Sequence, residues 1–312
     1  MHQRVVSAFD QYFDVTELSD QEISQLVRSY GIDIAIDLAG YTQHCRTEIF
    51  AHRCAPIQIN YLGYPGTMGA KFMDYIIADK VVIPEEQQQF YSEKIIYLPG
   101  SYQPNDSKRY SSDVYKNKGD FALPRNKFVF CCFNNNFKIT PDVFDCWIEI
   151  LSNVDNSVLW LLSDNHFAKF NLLNYLSKKS FDLSRVFFGD RIAYADHLER
   201  YRVADLFLDT FPYNAHTTAS EALWSCLPVL THCGHSFSSR VCSSLLSSLN
   251  LNELIAFSKE EYIQKAINLA NDPDMLFEIK SKLKHAVYSS NFSGELFALN
   301  FEKILKNIYF SH

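Results

Sequence analysis

The sequence lacks several features that would assign it to whole classes of protein. No apolar run approaches the ~20 residues that a membrane helix needs, so no membrane partner is predicted. Residues 1–13 contain an arginine but no apolar stretch typical of a secretory signal peptide. No segment is strongly basic and the net charge is −7, which argues against a nucleic-acid partner. An acidic chain can still bind phosphate in a locally positive pocket.

Cofactor and metal motifs are also scarce. The eight cysteines form no C-x-x-C pair, which favours reduced thiols and a cytoplasmic, intracellular location. His232 and His235 flank Cys233, but this spacing matches no zinc pattern. The D-x-D triplet at residues 272–274 is predicted to begin a helix rather than bind a metal. With no Walker loop and no G-x-G-x-x-G, neither a cofactor nor a metal site is predicted.

Alternating helical and strand patterns predict an α/β fold. At 312 residues, 47% of them hydrophobic, the chain is long enough for two lobes. Short apolar runs predict strands at 32–38, 57–62, 75–78, 95–98, 128–133, 158–162, 186–188, 206–208 and 229–231. Ser19 with Glu22 predicts a capping box, and Thr140 with Pro141 predicts another helix start. The pattern favours parallel sheets with helices on both faces.

The polar stretch from Gly100 to Asn126 is interpreted as a linker between the lobes. It divides the chain into a partial N-terminal lobe with linker, residues 1–115, and a C-terminal lobe with a closing helix, residues 116–312. Ligands of open α/β sheets bind beyond the carboxyl ends of the strands, so the polar residues that follow strands are the candidate site.

Two such strand ends could hold a phosphate. Lys138 follows the strand ending near Phe133 and could meet a phosphate as a point charge, or it could be an ordinary surface lysine. The segment 209–218 places His216, Thr217 and Thr218 where a helix begins, which favours an anion site over plain capping by a threonine.

Two further side chains have a functional and an ordinary interpretation. Glu221, one turn into the same helix, could bind a ribose or could be a solvated surface glutamate. His197, in the segment 191–200, could stack on a base or could be a structural histidine.

Six motifs occur in one order and together resemble the protein O-linked N-acetylglucosamine transferase family. They are YLGYPGT at 61–67, DYIIAD at 74–79, YSEK at 91–94, FKITP at 137–141, VLWLL at 158–162 and LFLDTFPYNAHTT at 206–218. The resemblance extends from about Val15 nearly to the C-terminus. It implies a GT-B fold with two Rossmann-like lobes and the donor in the cleft between them. It also implies transfer of N-acetylglucosamine from UDP-N-acetylglucosamine to Ser or Thr of acceptor proteins or peptides, with inversion and without a metal.

The resemblance assigns roles by matching position. Lys138 would hold the diphosphate and stabilise it as leaving group, which makes it the catalytic residue, and the anion-site triad of residues 216–218 would cradle the phosphates. Glu221 would bind the ribose and His197 would stack on uracil. The remaining predicted donor contacts are Asn135, Phe137, Ile192, Arg200, Leu62 and Gly63, of which the last two would border the sugar.

Departures from the family pattern leave alternatives open. Phe137 and Glu221 stand where the animal enzymes have Tyr and Asp. The first lobe of the family begins earlier, with a loop containing Asp and His, and tetratricopeptide repeats precede it. We therefore expect the first lobe to be incomplete and transfer by this chain to be slow or absent. The alternatives are a catalytically inactive UDP-sugar-binding or interaction fragment, and a related transferase that uses another nucleotide sugar such as GDP-fucose.

Overall fold

A computed structural model describes residues 2–109, 115–288 and 292–311. The chain divides into two compact units. The first consists of Met1–Ile77, Gln89–Ile96 and Lys306–His312, and the second of Ala78–Gln88 and Tyr97–Leu305. Each unit is built on its own sheet. The proposed division of the chain between residues 115 and 116 stays a prediction, and residues 110–114 of the predicted linker lie outside the described residues.

The first sheet has four strands in the order β1-β2-β3-β4. They are β1 Ile34–Asp37, β2 Ile57–Asn60, β3 Tyr75–Ala78 and β4 Lys94–Tyr97, and the accompanying helices are α1 His2–Val6, α2 Asp20–Ser29 and α3 Glu48–Ala51. β1, β2 and β3 run parallel. The predicted capping box is confirmed at the start of α2, because the backbone N–H of Ser19 donates to Glu22 and that of Glu22 donates to Ser19 Oγ.

The second sheet has six strands in the order β10-β9-β8-β5-β6-β7, all paired in parallel. They are β5 Phe128–Cys132, β6 Ser157–Leu162, β7 Val186–Gly189, β8 Leu206–Leu208, β9 Val229–His232 and β10 Ile255–Ala256. The helices that follow β5 along the chain are α4 Pro141–Ser152, α5 His166–Lys178, α6 Tyr194–Val203, α7 Thr217–Trp224, α8 Val241–Ser248, α9 Lys259–Asn271, α10 Pro273–Tyr288 and α11 Gly294–Ser311. The predicted two-sheet α/β fold is confirmed.

Buried apolar strands and one polar bridge form the core of the second unit. Every residue of β6 is buried, as expected of a strand covered by helices on both faces. Trp147 of α4 is fully buried and its indole N–H donates to Tyr262 Oη over 3.0 Å. The Tyr262 hydroxyl in turn donates to the Asp209 carbonyl over 3.0 Å. These two hydrogen bonds connect α4 and α9 to the end of β8. They also satisfy a buried indole N–H and a buried phenol, which each need a hydrogen-bond partner.

Predicted helix starts agree with the structure where a cap defines them. Thr140 caps α4 with Pro141 as its first residue, and Asp272 Oδ1 accepts the backbone N–H of Met275 at the start of α10. The predicted linker is not uniformly exposed. Tyr102 is buried and its ring meets that of Phe237 edge-on, with 4.9 Å between the centroids. Part of the stretch between Gly100 and Asn126 therefore belongs to the core of the second unit.

The strand order of the second sheet creates a crevice. The chain passes from β5 through β6 to β7 on one side, and then crosses to β8 on the other side of β5. The loops that leave β5 and β8 therefore diverge, and such a switch point is where open α/β sheets bind ligands.

No helix in the described part of the chain is long and apolar enough to cross a membrane.

Candidate functional site

Asn134 joins the two loops that diverge at the switch point. It follows β5 and is almost fully buried. Its amide Nδ2 donates to Thr210 Oγ1 in the loop after β8, over 2.8 Å, and its Oδ1 accepts the hydroxyl of Thr218 in α7. One amide side chain thus fixes the start of α7 relative to the end of β5. The sequence predicts roles for Asn135, Phe137 and Lys138 in the same loop, but none for Asn134.

Asp209 fixes the loop that connects β8 to α7. Its carboxylate is fully buried, and Oδ1 accepts the backbone N–H groups of Thr210 at 2.8 Å and Ala215 at 2.6 Å. Oδ2 accepts the hydroxyl of Thr231 at 2.6 Å. Burial raises the pKa of Asp209 to about 6, against the opposing effect of these hydrogen bonds and of Lys138. No role for Asp209 is predicted from the sequence, although an aspartate directly after an apolar strand is a signal for one.

Lys138 lies against this same loop. It closes a short 3₁₀ helix, Asn136–Lys138, and its Nζ donates to the carbonyl of Asn214 over 2.7 Å. Nζ also lies 4.0 Å from the centroid of the Tyr213 ring. Burial lowers the pKa of Lys138 to about 8, an effect that the nearby Asp209 carboxylate partly offsets. The alternative of a solvated surface lysine is wrong, because the ammonium group is desolvated and held on two sides.

The first turn of α7 has backbone N–H groups that no side chain of the capping residue satisfies. His216 occupies the capping position without a side-chain capping bond, and Thr217 is exposed. The Thr218 hydroxyl goes to Asn134, so neither threonine caps the helix. The first backbone N–H groups of a helix have no partner within it, and together with Lys138 they provide the positive end of an anion site.

His216 is neutral in this arrangement. Its Nε2 lies 3.3 Å from the carbonyl oxygen of Ser238, so Nε2 carries the hydrogen and donates. Burial and the charge of Lys138 lower the pKa of His216 to about 3. The predicted contact of His216 with a phosphate stays a prediction. If Nδ1 were the contacting atom, the ring would have to take up a proton on binding.

His197 and Glu221 form a pair. His197 Nε2 lies 3.3 Å from Glu221 Oε2, although 24 residues separate them. Glu221 is buried, so the alternative of a solvated surface glutamate is wrong. His197 Nδ1 is buried without a hydrogen-bond partner among the described residues, so one ring nitrogen keeps unused hydrogen-bonding capacity. The predicted ribose and uracil residues are therefore brought together, and their contacts with a ligand stay predictions.

The other predicted donor contacts of the second unit divide into buried and exposed. Arg200 is buried, donates to the carbonyl of Asp190 over 2.9 Å and has its guanidinium carbon 4.1 Å from the centroid of the Phe133 ring. Ile192 is partly exposed, and Asn135 Oδ1 accepts from Arg191 over 3.4 Å. The Phe137 ring is 74% exposed. Arg200 is thus held in the interior while Phe137 is open to solvent, and the contacts of all four residues with a donor stay predictions.

Leu62 and Gly63 follow β2 in the first unit. Leu62 has a φ of 72°, an uncommon conformation for a branched side chain. A Cβ on Gly63 would lie 2.1 Å from the backbone oxygen of Leu38, which follows β1. Only glycine therefore fits at this position of the turn. This steric requirement explains the residue independently of any contact with a sugar.

Replacing Gly63 with alanine is expected to destabilise the protein by about 2–4 kcal/mol, since the obstacle is backbone and the turn must shift. Urea unfolding measures this change. Gly66→Ala is the matched control, because a Cβ there would meet only the Tyr64 ring at an ordinary 3.6 Å. If both variants unfold at the wild-type urea concentration, the close approach to Leu38 is not a constraint.

The described residues contain no group of three or more His, Cys, Asp or Glu side chains placed to hold a metal ion.

Comparisons with known proteins show which proteins this chain is similar to. The model of glycosyl transferase family 41 matches residues 1–118 and 106–300. A probable UDP-N-acetylglucosamine–peptide N-acetylglucosaminyltransferase of Arabidopsis thaliana, named SEC, is 35% identical over 99% of this chain. The chain spans 32% of the length of that relative.

Solved structures share the architecture. A mutant O-GlcNAc transferase of Thermobaculum terrenum is 30% identical, with a TM-score of 0.89 over 98% of this chain and 58% of its own. Sucrose-phosphate synthase of Thermosynechococcus elongatus has a TM-score of 0.66 over 94% of this chain and 78% of its own, but at 12% identity it shares the fold alone. The chain has the GT-B fold and belongs to glycosyl transferase family 41, in the catalytic region that defines the O-GlcNAc transferases.

Proposed function

We propose that this chain binds UDP-N-acetylglucosamine and transfers N-acetylglucosamine to Ser or Thr hydroxyls of acceptor proteins, with inversion and without a metal. The relatives' names supply the donor and the peptide acceptor. One observation carries the proposal: Lys138 contacts the loop before α7 at the switch point of the second sheet. Its Nζ lies 2.7 Å from the carbonyl oxygen of Asn214. This is where a diphosphate would find a cation and free N–H donors together.

Lys138 is the residue to which we assign the catalytic role. When the bond between sugar and phosphate breaks, negative charge grows on the departing diphosphate. A desolvated ammonium group held in place stabilises that charge more than it stabilises the intact donor. The lowered pKa of Lys138 is consistent with a site that is prepared for an anion before one arrives, because the anion would restore the favoured charged state.

The remaining roles follow the geometry of α6 and α7. Thr217 and Thr218 lie in the first turn of α7, Glu221 lies one turn further, and its partner His197 lies in the first turns of α6. We propose that this sequence of groups matches the order of phosphates, ribose and base along a nucleotide. Ile192 would cover the base, and Asn135 and Phe137 would border the donor beside Lys138. Leu62 and Gly63 would border the sugar.

Calorimetry with UDP and GDP, each with and without EDTA, tests the donor. We expect UDP to bind and GDP to bind about 5- to 150-fold more weakly, because one buried polar contact to the wrong base costs about 1–3 kcal/mol. Binding is expected to survive EDTA. Equal affinity for the two nucleotides, or tighter binding of GDP, would support a different donor such as GDP-fucose instead. Binding of UDP without transfer to any peptide acceptor would support the inactive UDP-sugar-binding protein.

A further inference from the structure

The aromatic face of Tyr213 lies beside the ammonium group of Lys138. The 4.0 Å between Nζ and the ring centroid is well within the ~6 Å range of a cation–π contact. The next residue, Asn214, accepts the hydrogen bond from the same Nζ. Consecutive residues of one loop therefore supply two different kinds of contact to a single cation.

The Tyr213 ring is itself fixed in place. It stacks on His216 with 5.0 Å between the centroids and 21° between the planes. The Tyr213 carbonyl accepts the hydroxyl of Thr210 over 2.7 Å, and the exposed Phe137 meets the ring edge-on. The ring position is therefore set by the loop that Asp209 organises and not by Lys138 alone.

An aromatic face suits this position better than a carboxylate would. A carboxylate next to Nζ would hold the cation but would also repel a phosphate. The negative face of a ring attracts the ammonium group without carrying a net charge. His216 is neutral because its pKa is lowered to about 3, so the ring does not have to accommodate a second cation.

We propose that Tyr213 is a positioning residue, whose ring face holds the Lys138 ammonium group where a bound diphosphate meets it. This inference rests on the proposed function of Lys138. Tyr213 acts through Lys138, so its contribution depends on the presence of both the lysine and the phosphates.

Binding measurements on variants of both residues test this dependence. Tyr213→Leu removes the ring face and is expected to weaken UDP binding about 3- to 30-fold. Tyr213→Phe keeps the face and is expected to bind UDP as the wild type does. Uridine, which has no phosphates, is expected to bind the wild type and Tyr213→Leu equally in ligand-observed NMR. In a Lys138→Met background, Tyr213→Leu is expected to cost nothing further. The proposal would be overturned if Tyr213→Leu weakened the binding of uridine and UDP equally. It would also be overturned if Tyr213→Leu weakened UDP binding in Lys138→Met as much as it does in the wild type.

A second measurement does not depend on nucleotide binding. Competitive acetylation at pH 8, followed by mass spectrometry, reports how accessible and reactive the Lys138 amine is. Release from the ring in Tyr213→Leu is expected to raise its labelling rate about threefold or more, whereas Phe170→Leu, a change of an exposed ring on α5, is expected to leave it unchanged. If the wild type does not bind UDP, the proposed function fails and the labelling rate alone decides the role of Tyr213. An unchanged rate in Tyr213→Leu overturns that role.

Discussion

Lys138→Met is expected to lower the rate of N-acetylglucosamine transfer by roughly 10²–10³, the usual cost of removing one electrostatic donor from a developing charge. The loss is expected mainly in kcat, because the contact strengthens as the diphosphate departs. Steady-state kinetics with UDP-N-acetylglucosamine and a peptide acceptor measure it. Lys169→Met is the matched control, since Lys169 of helix α5 also lies over an aromatic ring, that of Phe188 in β7.

The same variant is expected to change how UDP binding depends on pH. Free wild-type Lys138 has a pKa of about 8 and loses its charge above that pH. UDP affinity is therefore expected to fall by up to about tenfold per pH unit above pH 8 in the wild type, and to stay flat over that range in Lys138→Met. Unchanged turnover in Lys138→Met would show that Lys138 does not stabilise the departing diphosphate.

The fold of Lys138→Met is expected to be intact. In the wild type the folded pKa of about 8 lies below the ordinary value of 10.5, so below pH 8 the charged lysine reduces stability, and stability is regained as the pH rises from 8 to 10.5. Methionine removes that cost and also removes the hydrogen bond to Asn214. The net expectation is equal or slightly higher thermal stability at pH 7, by on the order of 1 kcal/mol. A folded variant with strongly reduced turnover separates catalysis from stability.

Local sequence signals predicted the elements of this fold well where the signal is complete within a few residues. The strand at Tyr75–Ala78 and the helix start at Thr140 and Pro141 need only an apolar run, a capping hydroxyl and a proline. The predicted ends of β1 and β2 extend one or two residues beyond the observed strands, because flanking apolar residues such as Leu38 and Leu62 belong to turns. Strand order had no comparable local signal.

Contacts across long stretches of sequence explain what was missed at the site. Asn134 and Thr210 are 76 residues apart, and only the pairing of β5 beside β8 brings them together. Glu221 on a helix resembles a solvated residue in sequence, and it is the approach of α6 that buries it against His197. The family resemblance named Lys138 and His216, but the role of Tyr213 as the partner of Lys138 depends on a distance that no motif contains.

Asp209→Ala is expected to have the largest effect on folding. Three donors lose their acceptor in a fully buried site, namely the backbone N–H groups of Thr210 and Ala215 and the hydroxyl of Thr231. Leaving such groups unsatisfied costs about 1–3 kcal/mol each before the loop relaxes, so we expect a loss of about 3–5 kcal/mol in the free energy of unfolding. Urea unfolding measures the loss, and UDP binding is expected to disappear with the loop that carries Asn214 and His216.

Asp209→Asn distinguishes the shape of this side chain from its charge. An amide oxygen can still accept the two backbone N–H groups, and the Thr231 hydroxyl can turn to accept from the amide nitrogen. The asparagine variant is therefore expected to lose no more than about 1 kcal/mol. Burial raises the pKa of Asp209 to about 6. Between about pH 4 and 6 the carboxyl is therefore ionised in the unfolded chain and still protonated in the folded protein, so the wild type loses stability as the pH rises through this range. Asp209→Asn is expected to lack that dependence. If alanine and asparagine destabilise the protein equally, the hydrogen bonds of Asp209 do not hold the loop, and the site must owe its shape to packing around Asn134 and Tyr262 instead.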